Sequence, residues 1–396
     1  MGNFSKIFSD RVRVIASARL WLEDAAVQQL LTTAQLPGMQ QVVGLPDLHP
    51  GRGYPVGAAF FSSGRFYPAL VGNDIGCGMG LWQTDMAMSK VKPDKLDRQL
   101  GNLDGAIQED EWAVLKERDC GLQAQLDALA LRLAQAGLDA SHLRALGTIG
   151  GGNHFLELQV IDEVRDAGAF ERSSLALKKL QILVHTGSRG LGQEILRSHV
   201  NAFGHDGLPG NGEDAERYLA RHDAALAFAR LNRTVIVLRV ASRLHCSAAP
   251  VMDIHHNLLA PAQVKGQAGW LHRKGATPSD QGLVMLPGSR GDYSYVLEPI
   301  GEGQASLSSL AHGAGRKWAR TDCKGRLFKL FTPDQLSRTP LGSRVICHDK
   351  GLIYEEAPQA YKSVDSVLDC LVGAGLARAV ARSKPVLTYK TRGECC

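Results

Sequence analysis

The spacing of apolar positions changes period several times along the chain. Over residues 20–36, "LWLEDAAVQQLLTTAQL", leucines recur at helical intervals and the pattern stops at Pro37-Gly38, which predicts a helix ended by a breaker. The same period runs from 104 to 137 over a longer amphipathic stretch that Gly121 is expected to interrupt. A third helix is predicted over 213–231, entered from the loop "HDGLPGNG". Between these lie short apolar runs, "QILVH" from 181 and "GLVMLPG" from 282, followed by glycine, serine or proline as strands feeding functional loops are. The order does not alternate strand and helix regularly, so an α+β fold is predicted over a doubly wound parallel sheet. No repeat and no linker divides the chain. One domain over 1–396 is expected, with a largely helical excursion around 195–245.

Composition narrows the class without naming it. A chain of 396 residues with 44% apolar side chains can bury one large core or two ordinary ones. Lysine and arginine number 45 against 40 acidic residues, a slight excess that permits a nucleic-acid partner without requiring one. The eight cysteines, at 77, 120, 246, 323, 347, 370, 395 and 396, form neither a C-x-x-C pair nor a dense disulfide framework. The N-terminal "MGNFSKIFSD" has no apolar signal core, and no apolar run reaches the roughly 20 residues of a membrane span. A reducing, cytoplasmic setting without a membrane is expected. No G-x-x-x-x-G-K-[ST] occurs and the glycines of "GRGYPVG" are wrongly spaced for a dinucleotide loop, which excludes a P-loop enzyme.

The chemistry-bearing residues collect in glycine-rich company. Asp74 and Cys77 sit in "VGNDIGCGMG", His154 in "GGNHFLEL", His185 in "VHTGSRGLG", His256 in "DIHHNLL" and His312 in "HGAGRK". Histidines in polar or helical stretches, such as His142, His222 and His272, are expected at the surface. Glycine admits backbone conformations that bring ligands together, at an entropic cost that argues for a site. Thiolate can bridge two cations, imidazole suits Mn, Fe or Zn, and a carboxylate adds hard oxygen and negative charge. The set suggests a two-metal centre, the usual arrangement for displacement at phosphorus. The bland alternative for "NDIGCGMG" alone is a backbone bend beside a buried cysteine. Anion-handling groups stand nearby: Arg189 in "HTGSRG", Ser289 and Arg290 in "PGSRGDYSY", Arg316 and Lys317 in "HGAGRK".

Taken in order, "PDLHPGRGYPVGAAF", "GNDIGCGM", "GGNHFLEL", "VHTGSRGLG", "HHN", "RKGA", "PGSRGDYSYV", "HGAGR" and "EEAPQAYKSVD" resemble the RtcB family of RNA-splicing ligases from about residue 45 to about 390. The resemblance implies mixed β-sheets around a deep metal-lined cleft with flanking helices. It implies a ligase dependent on GTP and on two Mn²⁺ ions, joining an RNA 2′,3′-cyclic phosphate or 3′-phosphate end to a 5′-hydroxyl end. It makes His312 the nucleophile that takes GMP, and Asp74, Cys77, His154, His185 and His256 the metal ligands; His256 is chosen over His255 because asparagine follows it directly. Around the nucleotide it sets Asn153, Glu157, Ser289, Gly313, Gly315, Tyr361 and Lys390, the last from the interval in "PVLTYK". Arg189, Arg290 and Arg316 are expected at phosphates or RNA. An archease-like activator joins the candidate partners, and a monomer is the expected state.

Departures from the family pattern qualify this. "PGSRGD" replaces the usual "PGSMGT", so Arg290 and Asp292 are expected to add a charge pair beside the nucleotide loop. The chain continues past the last family lysine with "TRGECC" and is short for the family, which points to RNA repair. No RRM signature, zinc knuckle or aromatic-interleaved basic run appears, so RNA contacts are expected to be phosphate contacts that weaken with salt. The alternative function is a metal-dependent RNA cyclic phosphodiesterase without ligation.

Overall fold

The computed structural model describes residues 4–393, so Cys395 and Cys396 of the "TRGECC" extension lie outside the described residues. Two sheets carry the fold. The first has six strands in the order Ser5–Ile7, Val12–Ile15, Met39–His49, Val56–Ser62, Gln267–Lys274 and Asn257–Val264. The second runs Ala248–His255, Gly78–Ala87, Lys179–Thr186, Phe155–Val164, Ala377–Thr391, Ser294–Pro299 and Val284–Pro287, with Arg344–Cys347 parallel to Ala377–Thr391. Most neighbours are antiparallel, and helices are interspersed, so the architecture is mixed as expected.

Lys179–Thr186 and Val284–Pro287 of the second sheet are buried along almost their whole length, which is why they read as continuous apolar runs. Leu183 joins a core with Val43, Leu45 and Phe61 of the first sheet. Ile182 and Val184, pointing the other way, pack on Ile236, Val237 and Val240 of a long helix. "QILVH" is thus the middle of Lys179–Thr186 and "VMLP" the strand Val284–Pro287.

The helices follow the predicted pattern with different bounds. The first is Asp24–Thr33, shorter than 20–36. The 104–137 stretch is two helices, Glu109–Arg118 and Leu122–Gln135, with Gly121 at the junction. The third, Glu213–Leu244, runs 13 residues beyond 231. Its continuation contains the β-branched 234–237 run, of low helix propensity, but burial of Val235, Ile236, Val237 and Val240 outweighs that preference.

That burial also overturns the surface assignment of two histidines. His222 and His272 are both 0% exposed. His222 Nε2 accepts the Leu259 backbone N–H at 3.0 Å, and His272 Nε2 accepts that of Tyr67 at 2.9 Å. Each ring satisfies a buried donor that would otherwise stay unpaired. His142 lies half-buried, 2.8 Å from Glu194. The described cysteines are all free thiols, and no helix among the described residues is long and apolar enough to cross a membrane.

Candidate active site

Sheet order brings the ligand-type residues to one end of the second sheet. Register pairs Met79 with His185 and His185 with Phe155, while Gly78 faces His255, so Cys77, His154, His185 and His256 all lie at strand ends on one edge. Asp74 joins through the turn before Cys77, closed by a Cys77 N–H to Asp74 carbonyl bond of 3.1 Å. Two glycines are required here. Gly76 has φ +76°, and a Cβ on Gly187 would stand 2.1 Å from Asp74 Oδ1. The glycines therefore let the Cys77 turn and the His185 loop lie against each other.

Two sets of donor atoms result, each within 4.8 Å: Cys77, His185 and His256, and Asp74, Cys77 and His154. Cys77 Sγ lies 3.2 Å from His185 Nε2 and 3.5 Å from His154 Nε2; His185 Nε2 lies 3.3 Å from His256 Nε2. His154 Nε2 is 2.7 Å from Asp74 Oδ2. Burial first, then neighbouring histidines, pushes His185 and His256 well below the usual imidazole range, so both offer lone pairs. Burial and the nearby Asp74 push the Cys77 thiol well up, a preference that a bound cation inverts. Neutral rings and a sulfur crowded lone pair to lone pair are a donor set that fits cations, and the sulfur belongs to both sets as a bridging thiolate would.

Arg233 supports this edge from behind. It is fully buried on Glu213–Leu244. It donates to the Gly76 carbonyl at 3.0 Å, the Thr186 carbonyl at 2.9 Å and Asp253 at 2.6 Å, and lies 3.2 Å from His255 Nδ1. Gly76, Thr186 and His255 adjoin Cys77, His185 and His256 in sequence, so one guanidinium ties three ligand segments together. His255 points to Arg233 while His256 faces Cys77 and His185, as alternation along a strand demands.

His312 follows the strand Ser309–Ala311 with its ring centroid 4.8 Å from that of His256. Its Nδ1 lies 2.6 Å from Asp47 Oδ2, which also accepts the His312 backbone N–H at 3.0 Å. Asp47 is 0% exposed, and His312 lines the cleft with Nδ1 taken up by this carboxylate. Asp47 escaped the sequence reading, although a carboxylate inside the strand "LPDLH" was a visible anomaly. Lys274, from "RKGA", was missed as well; it lines the cleft and burial lowers it to about 8.

A cavity of about 640 Å³ opens from this edge, and Asn153, Glu157, Ser289, Arg290, Gly313, Gly315, Arg316, Tyr361 and Lys390 line it. Glu157 accepts from Thr388 at 2.5 Å and Gln159 at 2.6 Å, yet burial still raises it to about 7. Burial would raise Glu356 too, but Lys390, Arg320 and Arg316 hold it at about 2. Tyr361 donates to the same carboxylate at 2.7 Å.

The three arginines stand differently from one another. Each nitrogen of Arg316 is engaged within the protein, by the Trp318 carbonyl, Glu356, Tyr361, Cys323 and the Glu355 carbonyl. Arg189 does not line the cavity; it packs against Gly150 and donates to Thr148 at 3.2 Å, with its charge felt at Asp74. Arg290 turns inward to the Ile353 carbonyl at 2.7 Å, while Asp292 accepts the Tyr293 N–H at 2.8 Å. The expected Arg290–Asp292 charge pair does not form, because "SRGD" turns the two side chains to different partners.

The family described as tRNA-splicing ligase RtcB matches residues 29–391. The chain is 56% identical to RNA-splicing ligase RtcB2 of Escherichia coli over 393 residues, 99% of each chain. It is 30% identical to RNA-splicing ligase RtcB of Mycobacterium bovis, over 90% of this chain and 99% of that one. It is also 30% identical to tRNA-splicing ligase RtcB of Nanoarchaeum equitans, over 96% and 95%.

Proposed function

Since the chain belongs to the RtcB family of RNA-splicing ligases, we propose that it joins RNA 2′,3′-cyclic phosphate or 3′-phosphate ends to 5′-hydroxyl ends using GTP and Mn²⁺, through GMP carried on His312. The observation that carries this reading is the His312–Asp47 contact of 2.6 Å, one ring away from His256 in the donor cluster. Asp74, Cys77 and His154 would hold one ion and Cys77, His185 and His256 another, and bound Mn²⁺ supplies Lewis-acid charge neutralisation at phosphoryl oxygens.

Asp47 fixes the ring through Nδ1, directing the Nε2 lone pair into the cleft. Nε2 bonds to the α-phosphorus of GTP as the bond to the bridging oxygen breaks, and pyrophosphate leaves with that electron pair. The N–P bond then breaks as an RNA 3′-phosphate oxygen takes the GMP group. Finally the 5′-hydroxyl oxygen bonds to the RNA phosphorus, giving up its proton to solvent, as the phosphoanhydride P–O bond breaks and GMP departs with that electron pair. A cyclic end must first be opened by water to a 3′-phosphate. Glu157 offers acceptors and Lys390 a donor to a base edge with two N–H donors beside a carbonyl, which is the edge of guanine. A monomeric, cytoplasmic enzyme of RNA repair completes the reading.

The test is incubation with α-labelled GTP and Mn²⁺. Label that survives a denaturing gel and is absent from His312→Ala supports it. Metal-dependent opening of cyclic phosphate that persists in His312→Ala, with no adduct in the parent protein, favours the phosphodiesterase instead.

A further inference from the structure

Trp21 stands just before the helix Asp24–Thr33 with 45% of its surface exposed, although an indole gains more by burial. It borders a second cavity, of about 310 Å³, whose charged lining is Arg19, Lys317, Lys362 and Asp369. Three cations against one carboxylate favour an anionic occupant.

Two connections tie this cavity to the cleft. Lys317 lines both. Lys362, 5.9 Å from the Trp21 ring centroid, donates to the carbonyls of Pro46 at 3.0 Å and Leu48 at 2.8 Å. Those carbonyls flank Asp47, which holds His312. From Trp21 inward, Lys362, the Asp47 strand and His312 follow one another, so Lys362 and Asp47 link an occupant of the second cavity to the reacting nitrogen. An exposed aromatic face beside a guanidinium and an ammonium is the chemistry that grips single-stranded nucleic acid, by stacking a base and neutralising a phosphate.

We propose that this cavity takes a nucleotide of the RNA strand beyond the first two at the end being joined, with its base stacked on Trp21 and its phosphate against Arg19 and Lys317. The proposal rests on the ligase reading. Its test is equilibrium binding to the full-length, Mn²⁺-loaded protein of RNAs ending in 3′-phosphate or 5′-hydroxyl, each made as a dinucleotide and at about ten nucleotides, a length that spans a single-strand site.

Trp21→Ala is expected to weaken binding of at least one longer RNA about tenfold, the scale of one lost stacked base, while the dinucleotides bind as before. Trp21→Phe, which keeps a ring, is expected to recover most of that loss. Arg19→Gln is expected to lower the slope of log affinity against log salt by about one. Unchanged binding of both longer RNAs by Trp21→Ala, an equal loss for the dinucleotides, or a phenylalanine variant as weak as alanine overturns the proposal. If the wild-type protein takes the GTP label and one of these occurs, this site alone fails. If it takes no label and binds no RNA, the ligase reading falls and the site with it.

Discussion

At the scale of single residues, two carboxyl groups beside the cleft are buried, Asp47 and Glu157. Asp47 keeps His312 oriented through one oxygen at 2.6 Å. Asp47→Asn should slow formation of the GMP adduct by on the order of 10²-fold, the size of effect typical of a removed acid–base partner, and leave Mn²⁺ affinity unchanged. Rapid-quench labelling with calorimetric Mn²⁺ titration checks both. Glu157 is raised by burial from 4.5 to about 7. The native state therefore binds that proton more tightly than the unfolded chain between the two values, and its contribution to stability is lost as pH rises through about 7. Wild-type stability should fall by up to about 3 kcal/mol between these limits, and Glu157→Gln should flatten the slope, read from urea melts across pH. Most of the candidate ligands were legible because their glycine company is unusual. Asp47, Lys274 and Arg233 were not, since a polar residue in a short strand or a helix shows its partner only when the chain is folded.

At the scale of elements, the helix Glu213–Leu244 supplies the support for the donor edge. Arg233→Met would strand Asp253 and the carbonyls of Gly76 and Thr186 without their donor. Breaking a buried ion pair in this way should cost about 3–5 kcal/mol, measurable by denaturant unfolding. Loss of the tie between the ligand segments should also weaken Mn²⁺ binding about tenfold or more in the fraction that stays folded. Periodicity found this helix but ended it at 231, because a β-branched run reads as a break when the burial on every side is unknown. The same ignorance put His222 and His272 at the surface.

At the scale of the whole molecule, two sheets, a long helix and loops from distant parts of the chain converge on one cleft. A ligand that binds only the folded form stabilises it by mass action. Mn²⁺ at about a hundredfold above its dissociation constant should add about 2.7 kcal/mol to the stability of the wild-type protein, seen as a rise in melting temperature. Cys77→Ser, which removes the sulfur common to both donor sets, should abolish most of that rise and chelation should reverse it. An equal metal-induced shift in Cys77→Ser would count against a bridging role for the thiolate.

The sequence alone determined the α+β class, the glycine-rich loops, the types of donor they carry and the family to which those motifs point. All of these are local, since period, turn chemistry and motif order are written within a few residues of one another. Only the tertiary structure decided that Asp47 meets His312 across 265 residues of chain, that one guanidinium holds three ligand segments, and that Arg316 is bound up within the protein. Those are partnerships between segments far apart in the chain, and burial and hydrogen-bond pairing select them only once the sheets have set which edges face each other.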